Sequence, residues 1–139
     1  MLTLTAPDGT QLVYDAYEAA APRAAVLALH GWFDHAGRWR ETGEQLCAAG
    51  YSAFLLDLRG HGRSGGRPGH LSRFSQLLGD LQAFRRVVRI RTERPQVLLG
   101  RARLLWFVVH MLALHEQSVC RPKCAVLAGP SRVELGNCD

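Results

Sequence analysis

Apolar and polar residues alternate or cluster along the first hundred positions in a way that predicts a hairpin followed by buried strands. Residues 2–6 and 11–17 alternate around Pro7-Asp8-Gly9, a pattern typical of an antiparallel hairpin at a sheet edge. Continuous apolar runs follow at 24–29, 53–56 and 96–100. Such runs indicate strands that are buried on both faces.

Helical periodicity separates these runs. Residues 38–49 and 72–92 place apolar side chains three and four positions apart, which predicts two amphipathic helices. A strand, a helix and a strand within about thirty residues indicate a βαβ unit with a right-handed crossover. We therefore predict an α/β fold in a single domain over 1–139, with a mostly parallel sheet flanked by helices.

The last third of the chain has a weaker pattern. Residues 104–114 are compatible with a buried helix and 125–128 with a short strand, whereas 131–139 show no periodicity. The run at 104–114 is too short to span a bilayer, and no apolar segment follows Met1. We expect no transmembrane segment, no secretory signal and a cytoplasmic protein.

Charge and cysteine content exclude further classes of function. The net charge is +5, from 17 basic and 12 acidic residues, but the arginines are scattered without interleaved aromatics. We therefore expect no nucleic-acid binding. A zinc site at His110, His115, Cys120 and Cys124 would need paired short spacings that are absent, so we expect reduced cysteines, no metal and no cofactor.

The loops after the predicted parallel strands are where an open α/β sheet binds ligands. The first loop reads HGWFDHAGRW from His30, and the second reads DLRGHGRS from Asp57. Together, over about residues 2–100, they resemble the α/β-hydrolase superfamily in its monoacylglycerol lipase, lysophospholipase and serine aminopeptidase-like branch. The resemblance implies a serine hydrolase that acts on small-molecule carboxylic esters with lipid-like acyl groups, and an oxyanion hole that includes the backbone N–H of Trp32.

The resemblance implies mainly structural roles for the other motif residues, which are His30, Gly31, Asp57, Arg59, Gly60, His61, Gly62, Ser64 and Gly100. We expect Asp57 to accept backbone N–H bonds, Arg59 to brace its loop by an ion pair, and His61 to pack the loop. The alternatives are His61 as a catalytic base, Arg59 as a substrate clamp and Asp57 in acid-base catalysis. Ser64 lies in a G-x-S-x-G sequence, and its alternative role is that of the nucleophile.

The nucleophile motif is interrupted after Gly100. A nucleophile elbow needs serine between glycines directly after a buried strand, but Ala102 occupies the serine position and Leu104 that of the second glycine. The acid and histidine of the triad, the cap and the second half of the sheet would follow beyond residue 139. We thus expect a truncated, catalytically inactive chain with no catalytic residue.

Residues 101–139 diverge from the family pattern, and a reading-frame disruption or an alternative exon is one explanation; residues 125–130 again resemble the family's next strand. An alternative function is that of a non-catalytic fragment. Its unfinished sheet would pair with a full-length hydrolase or with a second copy, giving an oligomeric or loosely folded product.

Overall fold

The computed structural model describes residues 1–101, 123–127 and 133–136. The strands in chain order are β1 (Leu2–Thr5), β2 (Gln11–Tyr17), β3 (Ala25–Leu29), β4 (Ser52–Leu56), β5 (Gln96–Arg101), β6 (Lys123–Leu127) and β7 (Val133–Gly136). Helix α1 (Arg40–Ala48) follows a 3₁₀ turn at Ala36–Trp39, and helix α2 is Phe74–Arg91.

The described strands form one sheet in the order β1-β2-β4-β3-β5-β6-β7. The four central strands are parallel, with Val26 of β3 opposite Ala53 of β4 and Val97 of β5. Both margins are antiparallel, because the hairpin β1–β2 pairs against β4 and β7 pairs against β6. The fold is therefore a mixed sheet with a parallel centre and antiparallel margins.

Strands β3 and β4 lie at the centre of the core, and every residue in both is buried. Successive side chains on a strand point to opposite faces of a sheet. Leu27 and Phe54 accordingly pack with Phe84 of α2, whereas Val26 and Leu55 pack with Trp39 at the start of α1. Both faces of the sheet centre are covered, as the continuous apolar runs predict.

The predicted hairpin, the three apolar strands and both amphipathic helices are confirmed, with ends that shift by up to two residues. The predicted strand at 125–128 appears as β6. Strand β7 was not predicted, because its sequence VELG is not a continuous apolar run like those at 53–56 and 125–128; its register against β6 defines it. The predicted helix at 104–114 lies outside the described residues.

Among the described residues, no helix is both long and apolar enough to cross a membrane.

Candidate functional site

Two described loops, after β3 and after β4, begin at the carboxyl edge of the parallel strands. Leu29, the last residue of β3, lies opposite Leu56 of β4 and Gly100 of β5. The residues that follow these strand ends, including His30 and Asp57, are therefore brought to one edge of the sheet. This is the edge at which open α/β sheets bind ligands.

His30 connects the first loop to the second through both ring nitrogens. Its Nε2 accepts the backbone N–H of Leu58 at 2.9 Å, and its Nδ1 lies 2.7 Å from the carbonyl oxygen of Gly31. Because a backbone N–H can only donate, the ring proton is on Nδ1 and is donated to Gly31. Burial lowers the pKa of His30 below its ordinary value of 6.5, which favours this neutral tautomer.

The hydrogen bond from His30 also orients the backbone of Trp32. The carbonyl of Gly31 and the N–H of Trp32 belong to one trans peptide, so the two groups point in opposite directions. The same carbonyl accepts the N–H of Asp34 at 3.2 Å. The N–H of Trp32 has no hydrogen-bond partner among the described residues, which leaves it available as a donor.

Asp57 is a buried carboxylate whose two oxygens are both occupied. Oδ1 accepts the N–H of Ala36 at 2.7 Å, and Oδ2 accepts Nε of Arg63 at 2.8 Å and its backbone N–H at 3.2 Å. Nη2 of Arg63 also donates a hydrogen bond to Oδ2 of Asp15 on β2 at 2.7 Å. The carboxylate thus ties the β4 loop to the 3₁₀ turn, and it is not oriented for acid-base catalysis by any described partner.

Two glycines of this loop are required by its geometry. Gly60 and Gly62 have φ values of +70° and +51°, a region that other residues rarely adopt. A Cβ at Gly62 would lie 2.3 Å from Oδ1 of Asp57, and one at Gly60 would lie 2.4 Å from the carbonyl oxygen of Arg67. The R-G-H-G sequence therefore allows the loop to close over the Asp57 carboxylate.

Arg59 is buried and bonded to two carboxylates. Its Nε and Nη2 donate to Asp80 of α2 at 2.9 and 2.7 Å, and its Nη1 donates to Asp8 and to Thr10 in the hairpin. The carboxylates of Asp80 and then Asp8 raise the pKa of Arg59. Burial is the larger influence on Asp80 and raises the pKa of that carboxyl. Arg59 thus braces the loop against α2 and the hairpin.

The hydroxyl of Ser64 forms hydrogen bonds with two backbone groups. Its Oγ donates to the carbonyl oxygen of Asp57 at 2.5 Å and accepts the N–H of Val13 at 2.9 Å. No described histidine is bonded to it. The geometry joins the loop to β2 and does not present an activated nucleophile.

His61 lies under the first loop and is 7% exposed. Its Nδ1 is 2.8 Å from the carbonyl oxygen of Arg59, and its ring lies 4.7 Å from that of Trp32 in an edge-to-face arrangement. The ring of His30 is 5.5 Å away. The Nε2 atom of His61 is buried and has no partner among the described residues.

Gly100 pairs with Leu29 and Val126 within the sheet, whereas Ala102 lies outside the described residues, as do His110, His115 and Cys120. The part of the chain that is described contains no group of three His, Cys, Asp or Glu side chains arranged to hold a metal.

Sequence reasoning missed the partners of the motif residues. Asp80 lies on the apolar face of α2 between Leu77 and Leu81, and an acidic residue at such a position is a signal for a buried cation. No comparable signal indicates that Arg63 bridges Asp57 and Asp15.

Comparison with known protein families shows to which family this chain belongs. A family model described as "Serine aminopeptidase, S33" matches residues 20–131. The chain belongs to the S33 serine aminopeptidase family of α/β-hydrolases. It is 38% identical over 97 residues to the monoacylglycerol lipase of Mycolicibacterium smegmatis, an alignment that covers 66% of this chain and 34% of that protein. It is 34% identical over 76 residues to a monoglyceride lipase homolog of Monkeypox virus, covering 55% and 27%.

Solved structures agree on the fold of this S33 family chain. The esterase EaEST from Exiguobacterium antarcticum matches with a TM-score of 0.68 at 21% identity, covering 89% of this chain and 43% of that one. The Paleococcus ferrophilus monoacylglycerol lipase matches with a TM-score of 0.66 at 21% identity, covering 83% and 42%. The chain spans about a third or less of the length of the curated relatives it matches.

Proposed function

We propose that this chain carries the oxyanion-binding half of a hydrolase site for carboxylic esters of the monoacylglycerol type, and that by itself it performs no turnover. The observation that carries the proposal is the unpartnered N–H of Trp32, oriented by His30 at the carboxyl edge of β3. The relatives named monoacylglycerol lipase and monoglyceride lipase homolog support the ester class.

The missing part of the chemistry is the nucleophile. Ester hydrolysis by this family type begins with attack of a serine oxygen on the acyl carbon, while backbone N–H groups stabilise the oxyanion that forms. Ala102 has a methyl group at the position that the family pattern assigns to serine. Ser64 is bonded to the backbone on both sides and has no described base.

Labelling by a fluorophosphonate probe and hydrolysis of p-nitrophenyl butyrate test the proposal. We expect no covalent label on the chain and the same background rate for wild type and Ser64→Ala, because an oxyanion donor without a nucleophile forms no acyl-enzyme. The Mycolicibacterium smegmatis relative serves as the positive control. A burst of p-nitrophenol equal to the amount of chain, lost in Ser64→Ala, would overturn the proposal.

Self-association is the second candidate function, and the sheet edges favour it. Strand β7 pairs with β6 on one side, and no described strand pairs with its other side. An unpaired strand edge is a template for a strand of another chain, here a second copy or a full-length hydrolase.

A further inference from the structure

His61 is a buried imidazole with one nitrogen that the described structure does not use. Its Nδ1 is bonded to the carbonyl oxygen of Arg59, but its Nε2 is buried without a partner. Leaving a buried polar atom unsatisfied typically costs about 1–3 kcal/mol, and native structures rarely retain such atoms without a reason. A ligand that forms a hydrogen bond with Nε2 of His61 would remove this cost.

The hydrogen bond to Arg59 decides what that partner must be. A carbonyl oxygen only accepts, so the proton of the neutral ring is on Nδ1 and Nε2 has a free lone pair. Nε2 is thus an acceptor that requires an O–H or N–H donor. His30, the neighbouring imidazole, cannot supply one, because both of its nitrogens are bonded to backbone groups.

The ring of Trp32, just beyond the end of β3, covers one side of the His61 ring. Its ring contacts His61 at 4.7 Å, is 36% exposed, and makes no side-chain hydrogen bond among the described residues. The preceding Gly31 has open space beside it, with no atom within 4 Å of a Cβ placed there. The next residue, Phe33, is 83% exposed and has a φ of 60°. No hydrogen bond from a described residue holds the Trp32 side chain, so turning it aside would break packing contacts only.

We propose that His61 is a hydroxyl-binding residue at the carboxyl edge of β3 and β4. Its Nε2 accepts a hydrogen bond from an alcohol group of the bound ester, reached when the Trp32 ring turns away. The position fits this role, because the His61 ring contacts the ring of Trp32, the residue whose N–H is the proposed oxyanion donor. The inference rests on the proposed ester class, and it adds selection for esters whose alcohol portion carries a free hydroxyl.

Nitrogen NMR of the wild-type chain at pH 8, where an imidazole is neutral, tests this directly. The probes are monobutyrin, which has two free hydroxyls, and methyl butyrate, which has the same acyl ester and none. We expect monobutyrin to move the His61 Nε2 resonance upfield in a saturable way, and methyl butyrate to leave it in place. The exposed His35 is the internal control and should not respond to either probe. Substitutions His61→Gln and His35→Gln assign the two resonances.

Three results would overturn the inference: an Nε2–H tautomer for His61, no response to monobutyrin, or equal responses to both esters. The substitution Trp32→Ala tests whether the Trp32 ring blocks access to His61. We expect the variant to reach half-saturation at a lower monobutyrin concentration than the wild-type chain. Half-saturation at a higher concentration would contradict a blocking role for Trp32. The readout needs no turnover, so a negative result leaves the proposed function standing. Covalent labelling of the chain, conversely, would overturn the proposed lack of turnover, whereas the NMR titration of the unlabelled chain would still decide the role of His61.

Discussion

At the scale of single residues, His30 couples the oxyanion loop to the neighbouring strand end. It holds the carbonyl of Gly31 and the N–H of Leu58, so one neutral ring connects the ends of β3 and β4. A second ring proton would occupy Nε2 and remove the acceptor for Leu58. The arrangement therefore depends on the ring remaining neutral.

The lowered pKa of His30 gives the stability of the chain a defined dependence on pH. Between the lowered pKa of the folded chain and the ordinary value of 6.5, the unfolded chain binds more protons at this residue than the folded chain. The stability from this group is fully present above pH 6.5, decreases as the pH falls through this window, and is lost once the pH is below the folded pKa. Urea unfolding between neutral and mildly acidic pH measures it. We expect the free energy of unfolding of His30→Gln, whose side chain cannot titrate, to depend less on pH than that of the wild-type chain. An identical pH dependence in both chains would mean that another group causes it.

At the scale of elements, helix α2 supplies much of the packing on one face of the sheet. Phe84 is fully buried, and its ring lies 5.5 Å from that of Tyr14 on β2, with an angle of 62° between them. Aromatic pairs in this edge-to-face geometry are favourable beyond the area they bury. Six residues later, Ile90 of the same helix is 86% exposed.

These two apolar residues of α2 provide a matched pair of substitutions. We expect Phe84→Ala to lower the free energy of unfolding by about 3–5 kcal/mol, because it removes a buried aromatic ring and leaves a cavity. Ile90→Ala should change it by less than about 0.5 kcal/mol, as is usual at the surface. Chemical denaturation gives both values. Equal effects of the two substitutions would mean that α2 does not pack on the sheet through Phe84.

At the scale of the whole molecule, the covered centre of the sheet contrasts with its unpaired margins. Strands β3 and β4 are buried on both faces by α1 and α2. The described edges are β1 and β7, each of four residues. The sequence-based expectation of an oligomeric product depends on these edges and stays a prediction.

Light scattering across a range of chain concentrations tests association through β7. We expect the average mass to rise with concentration. Adjacent residues on a strand direct their N–H groups to opposite sides, so either Glu134→Pro or Leu135→Pro removes an outward donor. We expect one of the two to reduce association, and Ile90→Ala, at an exposed position on α2, to leave it unchanged. A constant monomer mass at every concentration would contradict the edge-pairing candidate.

Local patterns were enough to determine the central elements. The apolar runs identify β3, β4 and β5, since a strand covered on both faces needs apolar side chains in both directions. Helical spacing identifies α1 and α2, and the two loop motifs identify the family. The sequence alone also shows that position 102, where the family pattern has the nucleophilic serine, is alanine.

Only the tertiary structure decided how the motif residues are used. Asp57 bonds to Ala36, 21 positions away, and Arg59 bonds to Asp8, 51 positions away. Strand β7 exists through its register with β6, and the unused nitrogen of His61 appears once the loops have closed around it. Such contacts join residues that are distant in sequence. They depend on strand register and loop closure, whereas periodicity reports only on a residue's immediate neighbours along the chain.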